Sequence, residues 1–211
     1  FIHGSELGTK NTKEKKINKL TYSYVNLIIS VSNYTLTYLK KNTRIKPKRT
    51  VVVNNGADEK DFYKLTSKQI INFKRTKNVS HQKIIISLGN VSERKGQWVV
   101  INSLPEILKK FPNTHYYCIG QPSKKTEFQE LAKNLNVDDH VHFLEKLNIE
   151  EIRNWLNISE IFTMTSTHTQ DGDFEGFGIS VIEAALCGLP AIVTKNNNGV
   201  IESIEENITG L

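Results

Sequence analysis

Two cysteines, one methionine, two tryptophans and five prolines are all that this 211-residue chain has of those types. So few cysteines exclude a disulfide-stapled scaffold. Both of them, Cys118 and Cys187, fall in apolar surroundings and read as small buried hydrophobes of a reducing compartment. No His and Cys group has metal-ligand spacing, and His140-x-His142 lies in a strand-like run where histidines are usually structural. No apolar run is long enough for a bilayer-spanning helix, and the opening residues do not read as a secretory leader. Internal repeats and low-complexity tracts are missing too, which excludes solenoids and propellers. Without a leading Met, and with Phe1-Ile2-His3-Gly4 reading as the end of a buried strand, the expectation is an internal fragment.

What is present suffices for a core. Hydrophobic residues make up 38%, and the length allows one full domain plus part of another. Lys+Arg 28 against Asp+Glu 22 gives +6, a balance that suits anionic lipid, nucleic acid or phosphorylated ligands. The cations gather at Lys10 to Lys19 and at Lys40 to Arg49. Aromatics are not interleaved with them as in a nucleic-acid module, so no nucleic acid is expected. Lys13, Lys15, Lys16 and Lys19 suit a solvated helix face or contact with an acidic membrane surface.

Strand-like and helix-like segments alternate, the mark of a parallel sheet covered by helices. The readings run strand 26–32, helix to about 42, strand 50–54, then a polar connection with one helix. From Lys83 come strand to Leu88, helix 96–110, strand 114–119, helix 124–134, strand 141–144, helix 149–157, strand 161–165, a helix carrying Glu183, and strand 191–194. A boundary near 55–65 divides the chain.

Two stretches carry chemistry. Asp173-Phe174-Glu175-Gly176-Phe177-Gly178, with Glu183 beyond, sets two carboxylates around a glycine corner that opens an apolar helix. Gly176 and Gly178 permit close approach of the backbone, and the helix N-terminus favours a phosphate. Glu183 stands about one turn on, where a carboxylate accepts hydrogen bonds from sugar hydroxyls. Earlier, Ser87-Leu88-Gly89-Asn90 is followed by Glu93-Arg94-Lys95-Gly96: a glycine turn after a strand, then adjacent cations before a helix. Arg supplies a fork of donors and Lys a point charge, a pair suited to a diphosphate. Such cations also stabilise the charge left when a sugar–phosphate bond breaks. Solvated loop and helix charges are the plain alternative for both stretches.

Glu175 to Thr194 (EGFGISVIEAALCGLPAIVT) resembles the signature of the retaining group 1, or family 4, glycosyltransferases of the glycogen-synthase-like type. Their pattern is a glutamate, seven residues, a second glutamate, then Ala-x-x-x-Gly-x-Pro, met by Glu175, Glu183, Ala184, Gly188 and Pro190. The resemblance is strong from Ile84 to Leu211. It is looser from His3 to Phe62, where His3-Gly4-x-Glu6, Ser30-Val31-Ser32 and Val53-Asn54-Asn55-Gly56-Ala57-Asp58 match recurrent segments. It implies an α/β fold of GT-B type, two Rossmann-like domains facing a cleft. Residues 1–60 would then be the C-terminal part of the acceptor-side domain. Residues 61–211 would be the nucleotide-sugar donor domain, truncated at its C-terminal end.

Carried over position by position, the resemblance implies that Glu183 binds ribose hydroxyls. Glu175 and the backbone of Gly176, Phe177 and Gly178 would contact donor sugar and phosphate. Glu175, Arg94 and Lys95 are the expected catalytic residues; Gly89, Asn90, Leu147 and Gly199 join the donor site. The family usually has Arg where Asn90 stands, and Arg94 is expected to supply that charge. Leu147 falls at the base pocket, where Glu145 replaces the usual Gly, and fits the core equally well. In Asn197 to Glu202, Gly199 and Glu202 match the family's glycine and glutamate, and local capping by Glu202 stands beside that role. His3 falls where some members place a histidine near the reacting sugar, and a structural role suits it too.

The resemblance further implies a UDP- or GDP-sugar donor, a saccharide or lipid-linked acceptor, retention at the anomeric carbon, and neither metal nor other cofactor. It also implies a cytoplasmic site of action, with peripheral contact at the inner face of a membrane. Three other readings stand beside it: a non-catalytic nucleotide-sugar-binding or scaffolding module, a nucleotide-sugar epimerase, and a phosphorylase, for whose lysine-bound pyridoxal nothing speaks.

Overall fold

The computed structural model describes residues 1–4, 7, 12–43, 48–145, 147–195 and 198–211. Glu6, Lys10, Asn197, the stretch 44–47 and the side chains of Lys15 and Lys19 lie outside the described set. Two parallel sheets divide the chain. The smaller pairs β1 (Ile28–Ser30) with β2 (Thr50–Val52), and Ile2 bridges to Ser30 alongside them. Helix α1 (Thr12–Tyr24) precedes β1, and α2 (Asn33–Thr43) makes the crossover between the strands.

After α3 (Ser67–Thr76) the second unit alternates without a break. It runs β3 (Lys83–Leu88), α4 (Gln97–Lys110), β4 (Thr114–Ile119), α5 (Lys125–Asn134), β5 (Val141–Leu144), α6 (Ile149–Ile158), β6 (Ile161–Met164), α7 (Ile179–Leu186) and β7 (Ala191–Val193). All five strands are parallel, in the order β5-β4-β3-β6-β7. The apolar run of β3 follows from burial on both faces. Ile84 and Ile86 pack with Tyr117, Trp155, Leu156 and Phe162 on one side. Ile85 packs with Val100, Leu104, Tyr116 and Phe128 on the other. Two helix starts are set locally: Thr66 and Gln69 form a capping box for α3, and Asn148 caps α6 through the Glu151 N–H.

The chain leaves β3 toward β4 and β5, then returns to lay β6 on the opposite side of β3. Strand order therefore reverses between β3 and β6, and the crevice beyond their carboxyl ends is where such sheets bind ligands. Gly89 follows β3 there, and the long segment from Thr165 to Gly178 follows β6. Part of that segment leaves its own unit. Phe174 is 1% exposed in a cluster with Ile2, Leu7, Ile28 and Leu39 beside the small sheet. Its ring lies 4.5 Å from Tyr38 and 5.4 Å from Tyr34. Burying one such side chain is worth about 2–3 kcal/mol.

Candidate functional site

A cleft of about 720 Å³ opens at this reversal, within the size range of small-molecule sites. Gly89, Lys95, Glu175, Phe177, Gly178 and Glu183 line it together with Ile179 and Ser180, the first residues of α7. The small-sheet side contributes His3 and Val31, and the connection contributes Asn55, Asp58 and Asp61. Two segments widely separated in sequence, Gly89 to Lys95 and Glu175 to Glu183, thus meet at one opening.

The backbone of the cation segment is held from the residues just after β6. Thr167 donates its N–H to the Arg94 carbonyl at 2.8 Å, and Thr165 Oγ1 donates to the Gly96 carbonyl at 2.6 Å. Gly96 itself, at φ 71°, caps α4, and a Cβ there would meet the Thr165 carbonyl oxygen at 1.8 Å, so no larger residue fits.

The charged side chains converge. Glu175 Oε2 receives Arg94 Nη1 at 2.5 Å and Lys95 Nζ at 2.7 Å, and Arg94 Nε reaches Asp173 Oδ2 at 3.0 Å. Lys95 and Glu175 are mostly buried, at 15% and 13% side-chain exposure, so these pairs are weakly screened by solvent. Glu183 lies on α7 one turn from its start. Burial raises its carboxyl above the usual carboxylate range, and the Lys95 charge pulls the other way. Such a group accepts hydrogen bonds from hydroxyls at little further desolvation cost. At the same opening, the N–H groups of Ile179 and Ser180 form the positive end of α7.

The other expected residues lie outside the lining. Asn90 turns away: its Oδ1 accepts from Ser123 Oγ at 2.8 Å, and its carbonyl accepts from Gln97 Nε2 at 3.1 Å. The second cation near Lys95 is accordingly Arg94. Leu147 packs half-buried against the main core. Gly176 and Gly199 are occupied by protein rather than open to a ligand. A Cβ on Gly176 would stand 1.7 Å from the His3 carbonyl oxygen, and one on Gly199 would stand 2.0 Å from the Gly176 carbonyl oxygen. The Gly199 N–H donates to the Glu175 carbonyl at 2.8 Å.

Asp173 is visible in the sequence but carries no expected role there. Two carboxylates at i and i+2 facing an adjacent Arg-Lys pair is the pattern that could have found it. Among the described residues no group of three His, Cys, Asp or Glu is arranged to hold a metal ion. Among the same residues no helix is long and apolar enough to cross a membrane.

The family profile of the group 1 glycosyl transferases matches residues 68–211. A GDP-mannose-dependent alpha-(1-6)-phosphatidylinositol monomannoside mannosyltransferase of Mycolicibacterium smegmatis is 30% identical over 60% of this chain and 33% of its own length. A human phosphatidylinositol N-acetylglucosaminyltransferase chain is 28% identical over 99% of this chain and 40% of its own length. Among solved structures, Anabaena HepE in complex with UDP and glucose aligns with a TM-score of 0.81 at 21% identity, over 95% of this chain and 53% of that one. The chain therefore spans about a third to a half of the length of these proteins.

Proposed function

The chain belongs to the group 1 glycosyl transferases, and from that membership we propose that it forms the donor side of an enzyme that moves a sugar from a nucleoside diphosphate onto a saccharide or lipid-linked acceptor, with retention at the anomeric carbon. The observation that carries the reading is that Lys95, Glu175, Glu183 and the start of α7 line one cleft, with Arg94 paired to the Glu175 carboxylate beside Lys95. In this reading Lys95, Arg94 and the α7 N–H groups receive the diphosphate. As the bond to the sugar breaks, charge grows on the leaving phosphate oxygens, and donors already fixed in place lower the barrier. Glu183 accepts from the ribose hydroxyls, and Glu175 from the donor sugar. The residues before about 60 would belong to the acceptor-side domain, and those after it to the donor domain.

Relatives named for acceptors on phosphatidylinositol support a lipid-linked acceptor class and a place of action at a membrane surface. Calorimetric titration of this chain with UDP, GDP and ADP, with and without magnesium, tests the proposal. Binding of one nucleotide that is lost in Lys95→Ala supports it. Binding of one nucleotide that persists unchanged in Lys95→Ala and Glu183→Ala would show the cleft to be misassigned.

A further inference from the structure

Glu202 lies in a short 3-10 turn, Val200–Ser203, on the large-sheet side of the cleft. Its carboxylate reaches α2 on the small-sheet side. Oε2 accepts from the Asn33 backbone N–H at 2.8 Å and from Asn33 Nδ2 at 2.9 Å, and Oε1 accepts from the Tyr34 N–H at 2.7 Å. A helix leaves its first N–H groups without internal partners. At α2 these are met by Glu202 and by Ser32 Oγ, which accepts from the Thr35 N–H at 3.0 Å. A carboxylate also suits the positive end of the helix. The cap comes from a residue 169 positions away.

The same two elements grip the glycine corner. Thr35 Oγ1, on α2, donates to the Gly176 carbonyl at 3.3 Å. The Gly199 N–H, beside the 3-10 turn, donates to the Glu175 carbonyl. Phe174 is buried beside the small sheet. We propose that Glu202 is a positioning residue: by capping α2 from the other unit it sets the glycine corner, and with it the Glu175 carboxylate, between the two sheets. It touches no cleft ligand itself and acts through α2 and the Gly199–Glu175 contact. A local cap would order α2 and nothing more; this one ties α2 to the segment that carries a cleft carboxylate.

Hydrogen exchange of the whole chain, read by mass spectrometry, separates these roles. In Glu202→Ala, exchange should quicken severalfold in both 33–36 and 174–178, while α4 is unchanged. Glu202→Gln, which keeps the side chain's size and one acceptor oxygen, should fall between and serves alone if the alanine variant does not fold. Quickening confined to 33–36, no change anywhere, or uniform quickening that includes α4 would each overturn the proposal. Its consequence for ligands rests on the donor reading above: Glu202→Ala should weaken a nucleotide sugar more than the bare nucleoside, a ratio that a general loss of stability would not move. A wild-type chain that binds no nucleotide defeats the donor reading and leaves the exchange comparison intact.

Discussion

Lys95 lies across Gly89: a Cβ on that glycine would stand 3.2 Å from Lys95 Cε. The strand end and the cation thus form one surface, with the ammonium carried over the backbone to Glu175. Truncating Lys95 to Ala should weaken a nucleoside diphosphate tenfold or more, about 1.5–3 kcal/mol for a charged hydrogen-bond partner. The matching nucleoside should be little affected. Calorimetry on both ligands checks this, and an equal loss for the two would sink the assignment.

Glu183 trades stability against binding. Burial raises its carboxyl while the Lys95 charge pulls the other way, so the folded chain carries the charged form at a cost. That cost is present when pH lies above the raised value and fades as pH falls through it. Glu183→Gln should therefore raise the thermal midpoint near pH 7.5, by a few degrees at most on a scale where 1 kcal/mol moves a domain of this size about 2–4 °C. The same variant should weaken nucleoside binding. A lower midpoint would mean that the carboxylate is held by more than Lys95.

At Gly176 a side chain has nowhere to go, because the His3 carbonyl fills the space. Gly176→Ala should cost about 1–3 kcal/mol, the range for forced overpacking. Denaturant unfolding measures it. An unchanged midpoint would show that the first residues move aside freely.

Three histidines meet at the other end of the sheet. His115 Nδ1 lies 2.9 Å from His142 Nε2, and the His115 and His140 rings are 4.7 Å apart. Burial first, then the neighbouring His142 and His140, push His115 down to about 4, and His142 is lowered as well. An unfolded chain takes up these protons near 6.5. Stability is therefore full above about pH 6.5 and should decline between there and pH 4, by on the order of 1 kcal/mol at pH 5 after discounting for partial exposure. Urea unfolding at pH 7.5 and 5 should show this slope, and His115→Gln should flatten it.

Much of the large unit was legible because its signals are local. The isoleucine-rich run of β3 and the Tyr-Tyr-Cys-Ile run of β4 marked strands at Lys83–Leu88 and Thr114–Ile119, and the glycine corner announced the start of α7 at Ile179. Continuous apolar character overstated β1, read as 26–32 and observed as Ile28–Ser30, since strand pairing with Thr50–Val52 covers only those residues. Which sides of the molecule would touch was not legible. That the space beside Gly176 is taken by the His3 carbonyl, and that beside Gly199 by the Gly176 carbonyl, could not be read from the glycines themselves. The partner of Glu202, the burial of Phe174 and the pairing of Asp173 with Arg94 join distant segments, and no periodicity in a short window encodes such meetings.

The four charges paired through Arg94 and Glu175 carry one more consequence. Arg94 and Lys95 are positive, Glu175 and Asp173 negative, so these four charges cancel and each already has a mate. A singly charged anion gains little by ousting a carboxylate held at 2.5–2.7 Å, whereas a more highly charged group offers the cations a better exchange. The cluster would act as a threshold against lesser anions.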